Sequence, residues 1–245
     1  MTGPSDGEPH KVGVAISDVI AGLYAANAVQ AALRHSEATG QGQYIDVSLL
    51  DTQLAALVNV ASNYLISGQT PPRLGNQHPN IVPYQVFDAA DGQFVVAVGN
   101  DGQYAALCTV LQRPDLFHDE RFSTNPARVQ NREVLIPLLQ AEFKRQSVSY
   151  WMEHLVQAGI PCGPINTVAE ALQDPHAQAR GLIQQTRLAN GELVSLLGMP
   201  VHLSHTSAEI RYPPPLLGEH TEQILQEVLQ LSASEIEKYR AHGVI

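Results

Sequence analysis

Cysteine is scarce in this 245-residue chain, with only Cys108 and Cys162. Two cysteines cannot build a disulfide framework, and no CxxC or Cys/His spacing sets out a zinc site. Basic residues are also few, 14 lysines and arginines against 24 aspartates and glutamates, for a net charge of −10. That balance argues against nucleic acid or an anionic membrane as the main partner. No uninterrupted apolar run approaches the roughly 18 residues of a membrane span. The leader Met1-Thr2-Gly3-Pro4-Ser5-Asp6-Gly7-Glu8-Pro9 lacks the basic start and apolar middle of a signal peptide. The histidines show no HExxH or other metal spacing. The expectation is a cytoplasmic protein in a reducing setting, with no metal, no nucleic acid and no membrane.

What is present is the composition of an ordinary globular protein, 44% hydrophobic and 16% charged. Residues 19–38 read as a helix in which Asp18 or Ser17 is the cap. Val19, Leu23, Ala26, Val29 and Leu33 form its stripe, and Gly40 stops it. An extended piece or short strand follows at Tyr44-Ile45-Asp46-Val47-Ser48, then a second small-residue helix over about 49–67. Beyond a loop at 75–83, Gln85-Val86-Phe87 and Phe94-Val95-Val96-Ala97-Val98 flank Asp91-Gly92, which predicts a hairpin. Helical patterns cover 101–112, 131–145 and 149–158, with Pro137 a candidate kink in the second. From 161 the chain reads as an extended Cys162-Gly163-Pro164-Ile165, a short helix at 167–173 and strands within 182–203. A polyproline connector, Tyr212-Pro213-Pro214-Pro215, and a last helix at about 219–230 complete it.

Asp18 is the first candidate for chemistry. It lies in Gly13-Val14-Ala15-Ile16-Ser17-Asp18-Val19-Ile20-Ala21-Gly22, and a carboxylate among apolar neighbours must be specifically solvated or reactive. A plain N-cap is the simpler reading. The two are compatible, because a helix N-terminus also stabilises and holds a nucleophilic carboxylate. The second candidate is the loop Gly75-Asn76-Gln77-His78-Pro79-Asn80. Its residues suit an ordinary connector, yet Asn76, Gln77, His78 and Asn80 also suit a carboxylate or carbonyl ligand. Cys162, between Pro161 and Gly163 with no charged neighbour, reads as a small buried residue. Gly99-Asn100-Asp101-Gly102 lacks phosphate-loop spacing and reads as a turn with Asn100 or Asp101 as a cap.

Taken together, six segments resemble the class III CoA-transferases. They are Val12-Gly13-Val14-Ala15-Ile16-Ser17-Asp18, Thr39-Gly40-Gln41-Gly42-Gln43, Gly75-Asn76-Gln77-His78-Pro79, Asp91-Gly92, Gly159-Ile160-Pro161-Cys162-Gly163-Pro164 and Pro214-Pro215-Leu216-Leu217-Gly218-Glu219-His220-Thr221. Each is weak alone; their order is specific. The stretch from His78 to Gln85 resembles the branch that uses succinyl-CoA and other dicarboxylic acyl groups, and departs from the glycine run of formyl-CoA transferases.

The resemblance implies an α/β protein, the C-terminal part of a Rossmann-like large domain with an inserted small α+β domain. On that division 1–74 belongs to the large-domain core with the nucleophile helix, 75–165 is the small domain, and 166–245 is a linker returning to the large domain. Family members extend upstream of the matching region, where most CoA contacts lie, so the chain by itself is expected to bind CoA poorly. The resemblance assigns Asp18 as nucleophile and Gly75, Asn76, Gln77 and His78 as the substrate-binding cover over it. It implies no permanently bound cofactor, a coenzyme A thioester and a small carboxylate as substrates, and an interlocked homodimer. An α-methylacyl-CoA racemase of the same fold, or a non-catalytic remnant bound to a longer homologue, are the competing expectations.

Overall fold

The computed structural model describes residues 2–245 and divides into two compact units, Met1–Ile165 and Asn166–Ile245. In the first unit, α1 (Ile16–Thr39) ends where Gly40 turns left-handed at φ 73° and donates its N–H to Ser36. The helix begins earlier than the pattern suggests. Ala15 is its N-cap, and its carbonyl already accepts the N–H groups of Asp18 and Val19. The capping roles expected of Ser17 and Asp18 are therefore wrong; both lie inside the first turn.

Residues 44–48 form no strand, and extended Ser48 caps α2 (Leu49–Ala55) by accepting from Asp51 N at 3.3 Å. The single helix expected over 49–67 is broken. α3 (Val58–Ser67) restarts at Val58, whose φ of 46° is strained for a β-branched residue. α1 is also apolar and long enough to cross a membrane, with a mean hydropathy of 1.3 over an eighteen-residue window. Counting only uninterrupted apolar runs passed over it. By composition alone a core helix meets the same test.

The hydrophobic core lies elsewhere in the unit, between Val82 and Ile160. β1 (Tyr84–Asp88) and β2 (Gln93–Ala97) pair antiparallel from Tyr84↔Ala97 to Asp88↔Gln93, the hairpin that Asp91-Gly92 announced. Strand alternation sends Phe87, Phe94 and Val96 inward. Asn100, rather than Asp101, caps α4 (Asp101–Val110) by accepting from Gln103 N at 2.9 Å. Two short helices that periodicity did not signal follow, α5 (Pro114–His118) and α6 (Asn125–Gln130). α7 (Arg132–Phe143) runs through Pro137, and α8 (Val148–Gln157) receives a carboxylate at its start, where Asp91 accepts from Val148 N at 2.8 Å. Phe143 centres the aromatic packing, with Phe87, Phe94 and Trp151 rings at 4.8, 5.2 and 5.2 Å. β3 (Cys162–Pro164) then pairs with β2 to close the sheet in the order β1-β2-β3.

α1, α2 and α3 contribute almost nothing to that core. Ala21 is the one buried residue of α1, and the expected stripe of Val19, Leu23, Val29 and Leu33 is exposed. Leu65 and Ile66 on α3 are 79% and 87% exposed. An apolar side chain of that size gains roughly 1.5–3 kcal/mol when buried, so this face is incompletely covered within the chain.

The second unit holds α9 (Val168–Gln173), α10 (Pro175–Ala179), the hairpin β4 (Ile183–Arg187) and β5 (Leu193–Leu197), α11 (Thr221–Glu227) and α12 (Ala233–Ala241). α12 went unanticipated although Ser232-Ala233-Ser234-Glu235 spells a capping box, which forms with both of its hydrogen bonds. Tyr212, Pro213, Pro214 and Pro215 line a cavity of about 620 Å³ together with His220 and Ile224. The chain is mixed α/β, and both sheets of the described residues are antiparallel.

Candidate functional site

Asp18 projects from the first turn of α1 and is exposed, so no buried charge has to be offset. It stands at the positive end of the helix dipole. The residue before it is fixed: Ser17 Oγ donates to Gln53 Oε1 at 2.5 Å, joining the first turn of α1 to α2. Ser17 and Gln53 border a cavity of about 740 Å³, whose wall includes Thr2, Leu57 and the segment from Lys11 to Ile16. Arg73 holds the leader, with Nε donating to Pro4 O at 3.3 Å and Nη2 to Gly7 O.

The 75–80 loop is bound from several sides. His78 N donates to Tyr84 O at 2.9 Å, and Val86 N donates to Asn76 Oδ1 at 3.3 Å. From α3, Asn59 and Asn63 donate to Asn80 Oδ1 at 2.8 and 3.0 Å. From α6, Asn125 donates to Asn80 O at 2.8 Å and accepts from Val82 N at 3.1 Å. From α7, Arg132 donates to Gln77 Oε1, His78 O and Pro79 O at 3.3, 3.2 and 2.9 Å. Gly75 adopts φ 60°, a left-handed turn that suits glycine. The Asn76 and Gln77 oxygens are thus engaged in holding the loop.

His78 is different. Its ring stacks on Tyr84 at 5.2 Å and 8°, and its Nδ1 accepts from Asn80 N at 3.1 Å. Burial, and then the Arg132 charge, lowers the His78 pKa below its ordinary value. No hydrogen bond among the described residues joins Asp18 to this loop. The two regions flank a common stretch: Thr2 and Leu57 border the cavity beside Ser17, while Thr2 and Val60 border a smaller one, about 180 Å³, beside Gly75 and Gln77.

Arg128 supports the far end of the loop. It is fully buried, donates to Val82 O, Phe122 O and Asp101 Oδ1 at 2.7, 3.0 and 2.8 Å, and lies over the Tyr104 ring at 4.3 Å. Sequence reading missed Gln53, Asn125, Arg128 and Arg132. Their partners are distant in sequence, and the only local signal is that Arg128 and Arg132 are four residues apart. Burial pushes the Cys108 thiol up to about 11 and also raises that of half-buried Cys162, so neither resembles a nucleophile. No cluster of potential metal ligands occurs among the described residues.

Comparison with known proteins gives a consistent family. The profile described as CoA-transferase family III matches residues 1–221. A succinate–glutarate CoA-transferase of Agrobacterium fabrum is 42% identical over 228 residues, covering 93% of this chain and 57% of that protein. The human succinyl-CoA:glutarate CoA-transferase is 38% identical over 245 residues, covering 100% of this chain and 56% of that protein. The crystal structure of a CaiB/BaiF family protein from Brucella suis superposes with a TM-score of 0.72 at 43% identity, covering 93% of this chain and 59% of that one. The chain spans somewhat more than half the length of the curated relatives it matches.

Proposed function

The chain belongs to CoA-transferase family III, and on that premise we propose that it carries the nucleophile of a CoA transfer between small carboxylic acids, with succinyl-CoA as donor and a dicarboxylate such as glutarate as acceptor. The observation that carries this reading is the position of Asp18: exposed, in the first turn of α1, beside the Ser17–Gln53 contact at a large cavity. The activities for which these relatives are named support the substrate class.

In this mechanism an Asp18 carboxylate oxygen attacks the thioester carbonyl. The carbon–sulfur bond breaks, leaving a mixed aspartyl-acyl anhydride and CoA thiolate. The thiolate attacks the aspartyl carbonyl, releases the first carboxylate and forms an aspartyl-CoA thioester. The incoming carboxylate attacks that thioester to give a second anhydride and free thiolate. Attack of the thiolate on the new acyl carbon yields the product thioester and restores Asp18. Covalent catalysis divides one difficult exchange into easier steps and retains the acyl activation throughout. Water must be kept from both intermediates, a task we assign to the 75–80 loop, with His78 contacting the acyl group.

The same reading keeps 1–74, 75–165 and 166–245 as functional divisions, a cytoplasmic setting and a homodimer. The core that spans Val82 to Ile160 supports the middle division. The exposed apolar side chains of α1 and α3 support an assembly larger than one chain. We take α1 to pack against protein rather than lipid, because α2 is tied to it and Asp18, Arg34, His35 and Glu37 punctuate it. Replacing Asp18 with Ala in the protein purified from its own host tests the reading. Transfer from succinyl-CoA to glutarate should vanish; full activity in the variant would refute it.

A further inference from the structure

We infer that Arg132 of α7 is a positioning residue for His78, clamping the 75–80 loop so that the imidazole is presented as a fixed Nε2–H donor. The inference rests on the reading of that loop as substrate-binding. A neutral imidazole has one donor and one acceptor nitrogen. Asn80 N donates to His78 Nδ1 at 3.1 Å, so Nδ1 carries the lone pair and the proton belongs to Nε2. The ring plane is fixed as well, by stacking on Tyr84 at 5.2 Å and 8° and by the backbone bond from His78 N to Tyr84 O.

Arg132 sets the third coordinate. One guanidinium reaches acceptors on consecutive residues, Gln77 Oε1, His78 O and Pro79 O. A planar fork of donors does this; a lysine ammonium, a single point on a flexible stem, does not reproduce it. No carboxylate pairs with Arg132 among the described residues, in contrast to Arg113, Arg121, Arg128, Arg145 and Arg240. Its donors are met by carbonyl and amide oxygens, and the one carboxylate whose charge acts on it is its sequence neighbour Glu133. Next to His78, Arg132 opposes a second positive charge, reinforcing the larger effect of burial.

The groups brought to the loop by its neighbours are Arg132 from α7 and Tyr84 from β1, with the neutral amides of Asn59 and Asn63 from α3 and of Asn125 from α6 at Asn80. None of these supplies an anion that would favour imidazolium. The result is a neutral N–H donor backed by a cation, suited to an anionic oxygen: a substrate carboxylate, or the carbonyl oxygen that gains charge when Asp18 attacks. With Nδ1 accepting from Asn80 N, His78 would meet such an oxygen as an Nε2–H hydrogen-bond donor rather than as an acid.

The test separates geometry from function. Long-range ¹H–¹⁵N NMR of His78 in the wild-type protein should show the Nε2–H tautomer and a titration midpoint below that of a free histidine. In Arg132→Gln the midpoint should rise, though not fully, because burial persists. In Arg132→Lys the charge is kept, so the midpoint should remain low. Acceptor KM should rise about tenfold in Arg132→Gln, equivalent to about 1.4 kcal/mol, with a smaller change in kcat. An Nδ1–H tautomer in the wild type, which needs no variant to fold, overturns the inference, as does a midpoint unmoved in Arg132→Gln. The expected tautomer and midpoints with unchanged acceptor KM would leave the positioning intact and overturn the assignment of the loop to substrate.

Discussion

Ser17 and Gln53 are joined by a 2.5 Å hydrogen bond, so the turn that carries Asp18 is anchored to α2 through the preceding side chain. A nucleophile gains from such anchoring because misplacement by an ångström is costly to an attack trajectory. Gln53→Leu removes the acceptor while keeping an apolar body of similar size. We expect a stability loss of about 0.5–1.5 kcal/mol by urea titration, the net worth of one hydrogen bond. The rate of CoA transfer should fall while the acceptor KM changes little; an unchanged rate would mean that Asp18 is oriented by other contacts.

Arg128→Met should be among the most destabilising single changes in the 82–160 core. It strips the partners from the Val82 and Phe122 carbonyls and removes the cation over Tyr104. A buried carbonyl left without a partner costs about 1–3 kcal/mol. Arg128→Lys should recover only part of the loss, because one ammonium cannot match the directions of Val82 O, Phe122 O and Asp101. Chemical denaturation of both variants checks this.

Burial holds the Cys108 thiol near a pKa of about 11, so almost no thiolate is present at neutral pH. Iodoacetamide should leave Cys108 unmodified in the folded protein and alkylate it on unfolding. Peptide mapping after a short exposure decides the matter; rapid labelling of the native state would contradict the packing described around it.

His78 also makes stability depend on pH. Its folded-state pKa lies below 6.5, so just below that pH the unfolded chain binds more protons than the folded one. The contribution is complete above pH 6.5 and is lost as pH falls through the folded-state value. Wild-type urea midpoints should therefore decline more steeply below that pH than those of His78→Gln. Parallel profiles would mean that His78 does not titrate differently on folding.

Much of the local structure was legible because its causes are local. Asp91-Gly92 turns the β1–β2 hairpin, Gly40 ends α1 in a left-handed conformation, and Asn100 caps α4. Asp18 was legible as a candidate and misread as a cap, since a helix accepts an aspartate in its first turn as readily as before it. The stripe from Val19 to Leu33 was read as a packing face, yet periodicity does not say whether the surface that covers it lies in the same chain. The loop's supports were not legible at all. Arg128 meets Val82 across 46 residues and Arg132 meets Pro79 across 53, and side chains that converge only after folding leave no local pattern.

The central claim is that Asp18 forms covalent acyl and CoA adducts. The protein from its own host should be incubated with succinyl-CoA, quenched with hydroxylamine and analysed by peptide mass spectrometry. An aspartyl hydroxamate should appear at Asp18, and only when succinyl-CoA is present. CoA transfer proceeding at full rate with the Asp18 peptide unmodified, or with the hydroxamate on another residue, would contradict it.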